Sequence, residues 1–164
     1  MNDEYFMKIA LTEAYKSLKS DDVPVGAVIV INDKIISTGY NTKEKNHSVI
    51  SHAEINALKK ANKKLKSYRL DDAIIYITKE PCLMCMGALL SSRIKKIVYG
   101  ASDLRFGTSH LAVENNFNHK CEIKSGVLST ECEALLSGFF KKLRGKNADT
   151  RKTKNNSKKT GEKG

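Results

Sequence analysis

The sequence has no long hydrophobic run, and it is long enough to fold without disulfide bonds. Apolar stretches such as residues 27–31 are far shorter than the about 20 residues that span a bilayer, which excludes a transmembrane helix. The N-terminus lacks the basic segment and apolar core of a signal peptide, so we expect a cytoplasmic protein without membrane partners. A chain of 164 residues can bury enough surface to fold without disulfides, which leaves its four cysteines free for other roles.

Acidic residues are scarce at the C-terminal end. Residues 141–164 contain ten lysines and arginines against only Asp149 and Glu162, so this segment carries +8 of the net charge of +11. Such a basic segment favours a polyanionic partner, most simply a nucleic acid, although a solvated tail that only aids solubility has the same composition. Apolar residues almost disappear after Gly145. We therefore expect one domain over residues 1–145 and a basic, disordered tail over residues 146–164.

Hydrophobic periodicity predicts alternating helices and strands. Helical spacing predicts helices over residues 3–19, 52–66 and 82–92, and a last helix from Ser129 to about Leu143. Apolar runs predict strands over residues 25–31, 34–40, 73–78, 96–99 and 122–126, and Asn32-Asp33 is a hairpin turn signal. This order predicts an α/β fold, a three-layer α/β/α sandwich around a mixed sheet of about five strands.

Two short motifs at predicted helix starts carry chemistry. His52-Ala53-Glu54 and Pro81-Cys82-x-x-Cys85 supply one nitrogen and two sulfur ligands, a tetrahedral zinc set whose fourth position is left for water. Glu54 follows His52 closely enough to face the same cavity and move protons. Each feature alone is weak evidence for a catalytic site. The histidine could cap the helix and the glutamate could complement the helix dipole, while the cysteines could form a redox pair or half a structural zinc site. Together they predict hydrolytic attack on an electrophilic carbon.

The combined motif resembles the zinc-dependent cytidine and adenosine deaminase superfamily, whose signature is HxE followed by PCxxC. Segments 23–28, 39–41, 68–70, 78–82, 118–119 and 135–140 are similar to bacterial tRNA-specific adenosine deaminases, and the resemblance extends from about residue 4 to residue 144. It implies a cytidine deaminase-like fold that converts adenosine to inosine at the wobble position of a tRNA anticodon. It also implies a homodimer with one zinc ion per subunit, bound by His52, Cys82 and Cys85, and Glu54 as the proton shuttle.

The resemblance extends to substrate contacts. It implies that Asn41 hydrogen-bonds the target base, that backbone groups around Ala53 help to hold it, and that Asp103 lies near the substrate groove. Asn41 could instead be only a turn residue, and Asp103 could cap a turn. Phe140 and Arg144 on the last helix are further candidates for RNA contact. The loop over residues 104–117 is shorter than in the family, and it borders the groove that receives RNA.

Two other functions fit parts of the same pattern. A small-molecule deaminase of this fold would act on guanine, cytosine or a nucleoside, but it has little use for the basic C-terminal segment. A zinc-stabilised RNA-binding module without activity would not need Glu54 beside the metal. The basic segment and the glutamate together favour a deaminase that acts on RNA.

Overall fold

A computed structural model describes residues 2–160 of the chain, with side chains described through residue 154. The helices are α1 (Asp3–Lys16), α2 (Ala53–Leu65), α3 (Leu83–Ser91) and α4 (Ser129–Thr160), and the strands are β1 (Gly26–Ile31), β2 (Lys34–Tyr40), β3 (Ile74–Lys79), β4 (Lys96–Ala101) and β5 (Glu122–Lys124). Single 3₁₀ turns lie at Ser17–Ser20 and Ser109–Ala112. The predicted elements are therefore confirmed in number and order.

The five strands form one mixed sheet in the order β2-β1-β3-β4-β5. Strand β1 is antiparallel to both of its neighbours, whereas β3, β4 and β5 run parallel. The hairpin between β1 and β2 turns at Asn32 and Asp33, whose φ angles of 49° and 61° suit the right-handed twist of a two-residue hairpin. The mixed sheet agrees with the sequence-based expectation.

The helices cover both faces of the sheet. Helices α2 and α3 enclose one core, in which Ile77, Met86 and Leu89 are fully buried. Helices α1 and α4 enclose the other, which contains Phe6 and Cys132. The three-layer α/β/α prediction is confirmed. None of the four cysteines is paired in a disulfide in this structure.

Helix α4 is longer than its sequence pattern suggests. It continues to Thr160, beyond the predicted end near Leu143, so residues 146–160 are helical where disorder was expected. The segment contains no glycine or proline that would end a helix, and the hydroxyls of Thr150 and Thr153 donate to carbonyl oxygens one turn back. Residues 161–164 of the expected tail lie outside the described residues. Within residues 2–160, no helix has the length and apolar content needed to cross a membrane.

Strand β2 and helix α2 approach each other at Gly39. A Cβ atom at this position would lie 2.4 Å from the carbonyl oxygen of Ala53 and 2.6 Å from the backbone nitrogen of Ala57. The side chains of Ser37 and Asn56 add hydrogen bonds between the two elements. Because Gly39 has no side chain, the first turn of α2, which contains Glu54, can pack directly against β2.

We expect Gly39→Ala to push α2 away from β2 and lower the free energy of unfolding by about 1–3 kcal/mol, as overpacking of a filled core does. Denaturant unfolding measures the loss. Gly138→Ala is the matched control, because a Cβ there meets nothing within 4 Å. Equal stability of Gly39→Ala and Gly138→Ala would contradict the close-approach argument.

Candidate active site

Three predicted metal ligands meet where α2 and α3 begin. His52 and Cys82 are the residues that directly precede the first turns of these helices, and Cys85 lies in the first turn of α3. The Nδ1 atom of His52 is 3.7 Å from Sγ of Cys82 and 3.6 Å from Sγ of Cys85. The potential ligand atoms of these three residues all lie within 4.8 Å of one another. No other group of three or more potential metal ligands occurs among the residues with described side chains.

The three ligand atoms fit a zinc ion. Usual Zn–N and Zn–S bond lengths place nitrogen and sulfur about 3.6 Å apart along the edge of a tetrahedron, which matches both measured separations. One imidazole and two thiolates are also soft ligands of the kind that zinc prefers. The donor chemistry and the spacing therefore agree with zinc.

The two cysteines differ in acidity although they are close in sequence. Hydrogen bonds from Cys85 and from His52 lower the pKa of the Cys82 thiol to about 3, so its sulfur is a thiolate. The same contact with Cys82, together with burial, raises the pKa of the Cys85 thiol. The hydrogen bond to Cys82 also raises the pKa of His52, against the opposing effect of burial. The contacts within the group therefore shift the pKa values of the two thiols in opposite directions.

Glu54 is buried beside this group. Burial raises the pKa of its carboxyl above the usual value, while a hydrogen bond from Cys85 and the nearby His52 act in the opposite direction. A carboxyl with a raised pKa both accepts and returns a proton more readily near neutral pH. The position and the environment of Glu54 therefore suit proton transfer.

A cavity of about 440 Å³ opens in front of these residues. Its volume lies in the range that encloses small ligands. Six of the residues singled out in the sequence line it: Asn41, His52, Ala53, Glu54, Cys82 and Asp103. The fold thus brings together residues that lie up to 62 positions apart in the chain.

Asn41 is fixed at the wall of this cavity. Its Nδ2 donates to the carbonyl oxygen of Val23 at 3.1 Å, and its Oδ1 accepts from the backbone nitrogen of Lys43 at 3.2 Å. These two bonds use half of the hydrogen-bonding capacity of a primary amide. Asn41 thus stabilises the turn after β2 and also has capacity for a ligand.

Asp103 lines the cavity but also shapes its wall. Its Oδ1 accepts from the backbone nitrogens of Arg105 and Phe106, both at 3.0 Å, and its Oδ2 lies 3.1 Å from Nζ of Lys79. Burial raises the pKa of this carboxyl, but the bonds from Phe106 and Lys79 outweigh it and lower the pKa overall. The structure therefore gives Asp103 the turn-capping position that the sequence left open as an alternative.

Phe140 and Arg144 are not among the residues that line this cavity. Both are exposed on α4, which packs against the opposite face of the sheet from α2 and α3. A larger groove of about 700 Å³ lies between α1 and α4, with Phe139 in its wall, but it contains none of the potential zinc ligands. The chemistry therefore belongs to the smaller cavity.

Sequence reasoning gave no site role to seven other residues that line the cavity: Val23, Val25, Lys43, Val49, Lys79, Glu80 and Phe106. Glu80 is buried, and its carboxylate accepts from the backbone nitrogens of Asp103 and Ser109 at 3.0 and 2.9 Å. Its position two residues before Cys82 was the available signal. Phe106 gave no such signal, because an aromatic residue in an irregular loop has no periodicity.

Comparisons with known sequences find similar proteins that are named deaminases. The family model of MafB19-like deaminases matches residues 1–144. The tRNA-specific adenosine deaminase of Bacillus subtilis is 45% identical over 92% of this chain and 96% of its own length. The protein of that name from Buchnera aphidicola subsp. Schizaphis graminum is 42% identical over 87% of this chain and 96% of its own length.

Solved structures of deaminases also superpose on this chain. A structure from a study of A-to-I editing by tRNA:A34 deaminases at the wobble position superposes with a TM-score of 0.77, is 33% identical and covers 80% of this chain and 99% of its own. The guanine deaminase of Bacillus subtilis superposes with a TM-score of 0.59 and is 39% identical over 71% of each chain. On this likeness over nearly the whole length, the chain belongs to the MafB19-like deaminases, in the family of the tRNA-specific adenosine deaminases.

Proposed function

We propose that this chain hydrolyses adenosine to inosine at the wobble position of a tRNA anticodon. The observation that carries the proposal is the cavity in which the buried carboxyl of Glu54 lies beside the His52, Cys82 and Cys85 group. The 45% identity to a tRNA-specific adenosine deaminase over almost the full length of both chains supports the choice of substrate. The +8 charge of residues 141–164 suits an RNA partner.

His52, Cys82 and Cys85 would hold one zinc ion per subunit. Zinc in such a site makes water a nucleophile near neutral pH. Glu54 takes a proton from the attacking water and delivers it to N1 of adenine as the new oxygen bonds to C6. Glu54 then moves the second proton of that water from the new hydroxyl group to the exocyclic amine. The bond between C6 and this nitrogen breaks and ammonia leaves, so that adenosine and water give inosine and ammonia.

Asn41 and the backbone around Ala53 orient the base in this mechanism. The amide of Asn41 is already held by Val23 and Lys43, so its remaining donor and acceptor are pre-positioned for the edge of a base. Ala53 is fully buried against β2, which keeps the adjacent backbone rigid. A base must leave its stack to reach this cavity, and it does so most easily in an unpaired anticodon loop.

The RNA would extend beyond the cavity onto basic and aromatic side chains. Phe140 is 38% exposed and Arg144 is exposed on the same helix, which suits stacking and phosphate contact. The helical continuation over residues 146–154 places further lysines and arginines in solvent. The cytoplasm is the compartment that this substrate implies.

A homodimer is part of the proposal. Leu83 on α3 is 68% exposed, and it borders a groove of about 520 Å³ that also contains the 47% exposed Phe117. Exposed apolar side chains that border a groove are suited to contact with a second subunit. Sedimentation at micromolar concentration is expected to give twice the 18.3 kDa mass of the chain, and a monomer would contradict the dimer.

Guanine deamination is the second candidate, because a guanine deaminase is 39% identical over 71% of the chain. The deciding experiment incubates the purified protein with unmodified tRNA and, separately, with guanine. Reverse transcription detects inosine, since it is copied as guanosine. We expect inosine at the wobble position and no appreciable xanthine, whereas rapid guanine turnover with unchanged tRNA would reverse the choice.

A further inference from the structure

An exposed aromatic ring stands at the mouth of the catalytic cavity. Phe106 lines the same cavity as Glu54, yet 61% of it is exposed to solvent. The adjacent Leu104 is fully exposed, and Arg105 is exposed as well. A single exposed apolar residue needs no explanation. Here an exposed ring lines the cavity, and an exposed leucine and an exposed arginine precede it in the same turn, which suits contact with a ligand.

The turn that carries the ring is held firmly. The carboxylate of Asp103 accepts from the backbone nitrogens of Arg105 and Phe106, and the backbone nitrogen of Gly107 donates to the carbonyl oxygen of Asp103 at 2.9 Å. Glu80 anchors the same segment through the backbone nitrogens of Asp103 and Ser109. The ring is therefore presented by a pre-formed turn that is tied to the segment just before Cys82.

The chemistry of the platform suits a nucleobase. The guanidinium of Arg105 lies 5.2 Å from the centroid of the Phe106 ring, which places a cation beside a flat aromatic surface. Bases of single-stranded RNA stack on aromatic rings and on guanidinium planes. Lys43, whose side chain also lines the cavity, supplies a second positive charge for the phosphates on either side of an extruded base.

We propose that Phe106, together with Arg105, stacks on the base of the nucleotide next to the target adenosine. The target base has to reach the buried Glu54, whereas the 61% exposed ring of Phe106 lies at the mouth of the cavity, so the ring meets the neighbouring nucleotide and not the target. This inference rests on the proposed function and extends it, because it adds a contact to the nucleotide next to the target.

The test compares Phe106→Leu with Phe106→Tyr on an anticodon stem-loop. Leucine keeps the apolar volume but loses the planar face, whereas tyrosine keeps the face. We expect Phe106→Leu to lower kcat/KM about 5- to 30-fold, mainly through KM, and Phe106→Tyr to stay within about twofold of the wild type. Zinc content and the thermal midpoint should be the same in all three proteins. Equal kcat/KM for all three would overturn the proposal.

A second substrate separates stacking from a general structural role. Stem-loops with an abasic nucleotide on the 5′ or the 3′ side of the target lack the base that would stack. On the stem-loop that lacks the correct base, wild type and Phe106→Leu should react at the same rate. A persistent difference on both abasic stem-loops would also overturn stacking.

Binding provides a readout that does not depend on turnover. With 2-aminopurine next to the target, stacking on Phe106 should quench its fluorescence in the wild type and less so in Phe106→Leu. A stem-loop that the wild type deaminates without such quenching would contradict the stacking alone. A stem-loop that is bound and never deaminated would contradict the proposed function instead.

Discussion

Glu54→Gln is expected to lower the deamination rate by about 10²- to 10⁴-fold while one zinc ion per chain is retained. Glutamine has nearly the shape of glutamate, so it can fill the buried position beside Cys85, but it cannot accept the proton of the attacking water. The loss should appear in kcat, because the proton transfer occurs in the transition state and not on binding. Single-turnover rates on an anticodon stem-loop measure it.

The control for this variant is Glu13→Gln. Glu13 is another buried glutamate, but it lies on α1 and pairs with Lys16, away from the cavity. We expect that variant to keep the deamination rate of the wild type. If Glu54→Gln also kept full activity, Glu54 would not be the proton shuttle, and another group would have to move the protons.

Cys85→Ala is expected to reduce the bound zinc from one ion per chain to a small fraction, and to abolish deamination with it. The sulfur of Cys85 lies 3.6 Å from Nδ1 of His52, so its removal takes away one corner of the site. A site with two protein ligands binds zinc much more weakly than a site with three, so it loses the ion on dilution. Metal analysis after dialysis, together with the inosine assay, measures both effects.

Cys121→Ala is the matched control, because Cys121 is also a buried free thiol but belongs to the core beside α2 and α3. Burial raises the pKa of its thiol to about 11, as expected for an unreactive structural cysteine. This variant should keep its zinc and its activity. Full zinc content in Cys85→Ala would show that the metal is bound elsewhere.

The elements of the fold were predictable from sequence because their signals are local. Val28 and its neighbours form a continuous apolar run, as a strand buried on both faces requires, and Asn32-Asp33 has the conformational freedom of a hairpin turn. His52 and Cys82 stand at the starts of the predicted helices, so their meeting followed once both helices were placed at the same edge of the sheet.

Other features depend on contacts between distant residues and gave no local signal. Asp103 caps the turn by accepting hydrogen bonds from the backbone nitrogens of Arg105 and Phe106. The same turn is held by Glu80, which accepts a hydrogen bond from the backbone nitrogen of Asp103. The end of α4 was misplaced for a different reason. Apolar periodicity stops near Leu143, but residues 146–160 contain no glycine or proline, and a solvent-exposed helix does not need apolar periodicity to continue.

We expect His52, Cys82 and Cys85 to hold a zinc ion whose fourth position is open to solvent beside Glu54. Crystals of the purified protein, measured above and below the zinc absorption edge, test it directly. We expect one anomalous peak per chain, bonded to one imidazole nitrogen, two sulfurs and one solvent atom near the carboxylate of Glu54. A peak elsewhere, or a fourth ligand supplied by a protein side chain, would contradict the mechanism.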